Sequence, residues 1–266
     1  MKKMKKASYI LLLISTVLFI VVELKDYIGK DRKAPVITCP ESACVVSVED
    51  PESVLLQGVT AKDNRSGDVS ESVVVEKISP MSKDGTMTIT YASIDESGNV
   101  GRKERKLEYT DYTAPVFNMK GPLRVDVNKY NLDYLNNISA SSSIDGDLTG
   151  KIKFNFVDDK YVQGAGDYEL EFKVTDSRGT TSVLKTWLKV YDSRDEKIKI
   201  ELSQYMVRLN VNDSFDPMSY YVNTGSSGSV SVETDVDVST PGTYYADYKI
   251  KSGDATGSTR LVVIVE

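Results

Sequence analysis

Histidine is absent from this 266-residue chain, and cysteine and tryptophan are nearly so, with two and one. Without histidine the commonest general base and a common zinc ligand are missing. A serine or cysteine nucleophile has no imidazole to activate it, so the chain is expected not to be an enzyme and to need no cofactor. Clustered positive charge is also missing from most of the chain. The net charge is −6, while residues 1–30 hold six Lys against Glu23 and Asp26, net +4, which leaves −10 for the rest. So acidic a body is not built for phosphate backbones, which argues against nucleic acid as the partner. Glycine (17) and proline (8) are sparse, and the short polar linkers hold no Gly-Ser tract. That composition is globular, with short and stiff linkers.

The two cysteines, Cys39 and Cys44, enclose Pro-Glu-Ser-Ala. Outside a membrane such a pair is expected to form a disulfide. A loop this short gains little from closure entropy, so the bridge would pin a strand end; two free thiols are the alternative.

One long apolar run is present, "ASYILLLISTVLFIVVEL" at 7–24, with Glu23 as its single charge. As a helix it spans roughly 27 Å, enough for a bilayer core. Four leading lysines favour a cytoplasmic N-terminus. The expected organisation is a cytoplasmic tail at 1–6, a transmembrane signal anchor at 7–24 and a linker at 25–33. A cleaved signal peptide would show small residues in an A-x-A pattern, whereas the sequence continues "VVELKDYIGK". A cleaved signal and a buried soluble helix remain the competing readings.

Beyond residue 30 the chain repeats itself. "DRKAPVI" at 31–37 returns as "DYTAPVF" at 111–117, 80 residues later. "GVTAKDNRSGDVSESVVV" (58–75) lies against "NISASSSIDGDLTGKIKF" (137–154), and "GTMTITYASIDESGN" (85–99) against "GDYELEFKVTDSRGT" (166–180). The apolar residues keep phase: Met87, Ile89 and Tyr91 match Tyr168, Leu170 and Phe172. A third copy carries Tyr244, Ala246, Tyr248 and Ile250 in the same alternation. A period of two is the mark of antiparallel strands with one face buried. Many short strands separated by Gly, Asn, Asp and Ser turns predict β-sandwiches. The boundaries expected are 34–112, 113–194 and 195–266.

The phrases "VTAKDNRSGDVS", "DESGN", "FDP" and "PGTY" resemble bacterial immunoglobulin-like repeats of exported and cell-surface proteins, a type also found in an insecticidal crystal toxin. The resemblance covers about residues 34–266. It implies an all-β protein of three tandem Ig-like sandwiches after an N-terminal transmembrane helix, usually without catalysis. Copy two departs from the pattern with Ser142 where Asp is usual and Thr180 where Asn is usual.

Asp63, Asp68, Asp95 and Glu96 are carboxylates that could meet at one end of the first sandwich and hold calcium. Turn chemistry explains the same residues more simply, so no metal site is assigned. In "SVLKTWLKVY" the more apolar set, Leu184, Thr186, Leu188 and Val190, is expected inward. That turns Trp187 outward as a candidate contact residue. The functional expectation is a single-pass membrane protein, N-terminus inside and C-terminal domains extracellular, acting as a non-catalytic adhesion, spacer or protein-binding module. Its partner would be a protein or a cell-surface glycan. A structural part of a membrane or cell-wall assembly, or a carbohydrate-binding module, are the alternatives.

Overall fold

The structure is a computed structural model that describes residues 2–82, 86–129, 131–157, 162–223 and 228–266. Among the described residues one helix, α1 (Lys2–Gly29), is followed only by strands and short 3-10 turns. The strands of the first copy are β1 (Val36–Thr38), β2 (Cys44–Val46), β3 (Thr60–Asp63), β4 (Gly67–Asp68), β5 (Val74–Ile78), β6 (Met87–Ile94) and β7 (Val100–Tyr109). The second copy holds β8 (Val116–Met119), β9 (Arg124–Asp126), β10 (Ile138–Ser142), β11 (Gly146–Asp147), β12 (Lys153–Phe156), β13 (Gly166–Thr175) and β14 (Thr181–Tyr191). The third has β15 (Glu201–Leu202), β16 (Met206–Leu209), β17 (Tyr221–Val222), β18 (Ser229–Thr234), β19 (Gly242–Ser252) and β20 (Ala255–Val265).

The three copies share one topology. Each has a four-stranded sheet, ordered β2-β7-β6-β5, β9-β14-β13-β12 and β16-β20-β19-β18. In each, a short second strand lies parallel to the last strand, Cys44 opposite Leu107, Arg124 opposite Lys189 and Met206 opposite Val262. The opposing sheets are β1-β3-β4, β8-β10-β11 and the two-stranded β15-β17. The core of copy two draws Phe117, Ile138 and Ala140 from one sheet and Leu170, Phe172, Leu188 and Val190 from the other. It is therefore a sandwich filled by the inward row of every strand.

The alternation read from the sequence is the alternation of burial. Met87, Ile89 and Tyr91 are buried, as are Leu170 and Phe172, and Ala246, Tyr248 and Ile250. Leu184, Thr186, Leu188 and Val190 point inward. Matching glycines supply left-handed turns at matching places, Gly98 at φ 84° and Gly179 at φ 80°, a conformation side chains resist.

Three further expectations are not shown by the structure. Cys39 and Cys44 are free thiols, half-buried and buried, and no disulfide joins them. Cys39 follows β1 and Cys44 opens β2, and these strands belong to different sheets. The expected span at 7–24 is helical, yet among the described residues no helix is long and apolar enough to cross a membrane. The chain also divides into two compact units, 1–110 and 111–266. The second unit contains both the second and third sandwiches, whose cores share Met119.

Tyr91 and Tyr248 occupy the same place in copies one and three. Each hydroxyl donates to a carbonyl of a 3-10 turn: Tyr91 to Leu55 at 2.7 Å, Tyr248 to Pro217 at 2.5 Å. Copy two has Phe172 there, fully buried. Tyr91→Phe should therefore cost about 1 kcal/mol by orphaning the Leu55 carbonyl, with the fold kept, as urea melts of the variant would show; an unchanged midpoint would mean that bond is idle.

Candidate functional site

Three carboxylates meet at one end of the first sandwich. Asp31 lies between α1 and β1, Asp63 ends β3, and Asp95 follows β6. All three are buried, at 5%, 4% and 6% exposure. One carboxylate oxygen from each lies within 4.8 Å of the others. Local hydrogen bonds account for four of these six oxygens. Asp63 Oδ1 accepts from the amides of Arg65 and Ser66, both at 2.8 Å. Asp95 Oδ1 accepts from Ser97 and Asn99, both at 2.8 Å, and its Oδ2 accepts from Asn99 Nδ2 at 2.8 Å. Asp31 Oδ1 accepts from the Lys33 amide at 3.1 Å.

The remaining oxygens are unmatched. Asp31 Oδ2 and Asp63 Oδ2 are buried without a hydrogen-bond partner. A loose ion pair reaches the cluster, Arg65 Nε at 3.9 Å from Asp31 Oδ2, from a side chain that is more than half exposed. Arg65 also donates to the Gly29 carbonyl. Donation from the Ser66 and Arg65 amides holds the Asp63 carboxyl below the usual carboxylate range. Buried negative charges this close repel strongly unless a cation or a proton intervenes.

The second sandwich shows the same place filled differently. Ser142 stands where Asp63 stands, and its hydroxyl accepts from the Asp145 amide at 3.0 Å. Asp176, the match of Asp95, keeps the turn bonds from Arg178 and Thr180, both at 2.9 Å. Its Oδ2 accepts from the Tyr112 hydroxyl at 2.7 Å. Burial, and that bond, push the Tyr112 phenol up to about 12. Two hydroxyls thus accompany one buried acid, Asp176, where copy one gathers three.

A second feature lies between the sandwiches of the second unit, a cleft of about 270 Å³ lined by Met119, Arg124, Asp167, Trp187, Lys189 and Arg260 among others. Its walls are joined by polar contacts. Arg124 donates to the Ser258 carbonyl at 2.7 Å and to Glu196 at 3.0 Å, with both charged side chains about 85% buried. The Arg124 guanidinium lies 3.9 Å from the Tyr191 ring centroid. Ser258 donates to Glu196 at 3.0 Å, Arg208 to the Phe117 carbonyl at 3.2 Å, and the Tyr245 hydroxyl to the Lys185 carbonyl at 3.1 Å.

Of the residues singled out in the sequence, Asp63 and Asp95 come together. Asp68 and Glu96 stay exposed outside the cluster, Asp68 accepting from Ser70 at 2.9 Å. Asp31, which completes the trio, was legible only as half of a repeated junction. Trp187 is half-buried at the cleft. Arg124 and Glu196 carried no sequence signal, since each is one charge among many.

No protein-family model matches the chain. An uncharacterized 81.3 kDa protein of Acholeplasma phage L2 is 24% identical over 172 residues, covering 62% of this chain and 23% of that protein. The chain thus spans under a quarter of that relative's length. Among solved structures, the M60 catalytic domain with CBM51 domains from Clostridium perfringens ZmpB is 13% identical and covers 87% of this chain and 30% of its own, at a TM-score of 0.20. Mouse cadherin-23 EC22–24 is 11% identical with coverage of 88% and 99%, also at 0.20. The human desmocollin-1 ectodomain is 11% identical with coverage of 88% and 61%, at 0.19. Scores this low carry no argument about ligand or partner, and they do not show the specific bacterial repeat family that the motifs resemble.

Removing one member of a largely buried ion pair is costly. Arg124→Ala should destabilise the second unit by about 2–3 kcal/mol and split its calorimetric transition in two; a single unshifted transition would mean the sandwiches are not coupled there. Because the folded Tyr112 pKa lies above its ordinary 10, its share of stability is full below pH 10 and is lost as pH rises toward about 12. Tyr112→Phe should therefore flatten that part of the alkaline stability curve, measured by denaturant melts across the range.

Proposed function

We propose that the chain is a membrane-anchored, extracytoplasmic Ig-like array that works without catalysis, as an adhesion, spacer or protein-binding module at the bacterial cell surface. One observation carries the reading: Arg124, Glu196 and Ser258, with the shared Met119, weld the second and third sandwiches into one unit. A module that holds surfaces apart or presents loops to a partner needs such stiffness, because flexing at a junction costs ordering entropy on binding.

The anchor rests on the character of α1. Its large apolar side chains from Leu11 to Leu24 are 48–72% exposed, and a helix apolar on all sides is stable only when something covers it. Four lysines precede the run in the sequence, which orients such a helix with its start in the cytoplasm. The partner is a protein or a cell-surface glycan. Trp187 beside Asp167 and Lys189 in the cleft favours a glycan as the second reading, since sugars combine an apolar face with hydroxyls.

Flotation of the full chain with phospholipid vesicles should carry it to the top of a density gradient. Leu13→Lys/Leu18→Lys should leave it at the bottom, with the sandwiches still folded by circular dichroism. A wild-type chain that stays at the bottom would rule the anchor out. Crosslinking in intact cells followed by recovery of surface proteins or glycans tests the partner; recovery of cytoplasmic proteins alone would sink the reading.

A further inference from the structure

We propose that Asp31, Asp63 and Asp95 form a calcium site that clamps the segment after α1 to both sheets of the first sandwich. The trio alone would be an acidic cluster and no more. What points to a ligand is the pair of oxygens left over, Asp31 Oδ2 and Asp63 Oδ2, each on a side chain at least 95% buried and neither with a hydrogen-bond partner. Most buried side-chain polar atoms are paired, so two orphans from different segments, on side chains that each bring one carboxylate oxygen within 4.8 Å of the others, mark a missing positive partner. Arg65 reaches only one of the two, as a long ion pair of 3.9 Å to Asp31 Oδ2 from a side chain more than half exposed.

The donor chemistry selects the ion. All three side chains offer oxygen, and none offers the nitrogen or sulfur that zinc or copper favours. Hard divalent cations take carboxylates, backbone carbonyls and water, and calcium tolerates the irregular shell that three unrelated segments provide. A divalent charge also offsets most of the repulsion among three carboxylates, of which Asp63 is held in its charged form by two amides.

The placement gives the ion a structural consequence. Asp31 is two residues beyond the end of α1, Asp63 closes a strand of the three-stranded sheet, and Asp95 follows a strand of the four-stranded one. The Asn99 amide already bridges Asp95 and the Asp31 carbonyl, at 2.8 and 3.2 Å. Calcium would complete this link and fix the direction in which the chain enters its first sandwich. Copy two reaches the same end without an ion, by Ser142 and the Tyr112 hydroxyl.

Calorimetric titration of the full chain in mild detergent with calcium chloride tests this. One ion per chain should bind, and the melting temperature should rise by about 5–10 °C at saturating calcium. Asp63→Ser, which copies the second sandwich, should abolish both effects while the chain stays folded. Asp31→Asn, on a segment outside any strand, should do the same if the first variant fails to fold. No binding up to about 10 mM calcium, beyond the weakest class of extracellular calcium modules, would overturn the site. So would binding that survives both substitutions, or stabilisation of the wild type by mild acid and not by calcium, which would mean a shared proton neutralises the trio.

Discussion

Each sandwich depends on a short strand that crosses from one sheet to the other and lies parallel to the module's last strand. Three residues suffice in copies one and two, Cys44–Val46 and Arg124–Asp126, and four in copy three, Met206–Leu209. The contact is small but topologically expensive, because it joins residues about 60 positions apart and so closes nearly the whole module into a single loop. Everything between the two strands must already be paired for the closure to be worth its entropy. The cores show how this is met, since the long hairpins β6-β7, β13-β14 and β19-β20 are paired along their length and carry inward-facing apolar residues that the crossing strand then caps. Because β2, β9 and β16 run with the final strand, the chain enters and leaves each four-stranded sheet in the same sense.

The charged strand "GRKERKLEY" follows from the same closure. β7 pairs with β2 only over Leu107–Tyr109, so Val100–Lys106 has no strand on that side among the described residues. Here the residues are Arg, Lys and Glu, with Arg102 making a bidentate pair to Glu76 on β5. Charge on an unpaired strand margin discourages edge-to-edge association. The strand is interior at one end and a margin at the other, and its composition changes where its pairing does.

Strand identity was legible because burial on one face writes a period of two directly into the sequence; Ile89, Phe172 and Tyr248 could be placed inward without any structure. Turns were legible where geometry demands a residue type, as at Gly98 and Gly179. What stayed hidden were relations that no local pattern encodes. Glu196 is 72 residues from Arg124 and sits in a run of charges, so nothing distinguishes it from a solvated acid until the two sandwiches are packed. Cys39 follows a strand of one sheet and Cys44 opens a strand of the other, a change of sheet that proximity in sequence across 39–44 conceals. Asp31 was visible as punctuation and not as chemistry, because its partners lie 32 and 64 residues onward.

Divergence between the copies turns the chain into its own control. The scaffold positions of Asp95 and Asp176 are equivalent, and both spend one carboxylate oxygen on the two amides of the following turn. If turn geometry were the whole reason for acid at this end of a sandwich, copies one and two should carry the same surroundings. They do not. Copy two replaces one acid by Ser142 and brings in Tyr112 to donate to the free oxygen, so its polar groups close on themselves. Copy one has arginine at the matching position, Arg32, keeps a third acid at Asp63, and leaves two buried oxygens open. A buried carboxylate with an open oxygen is destabilising by itself, and hydroxyl replacements that remove the cost are within easy reach, as the neighbouring module demonstrates. Persistence of a three-acid version beside one that keeps a single buried acid, Asp176, is the pattern expected where something outside the protein supplies the missing charge.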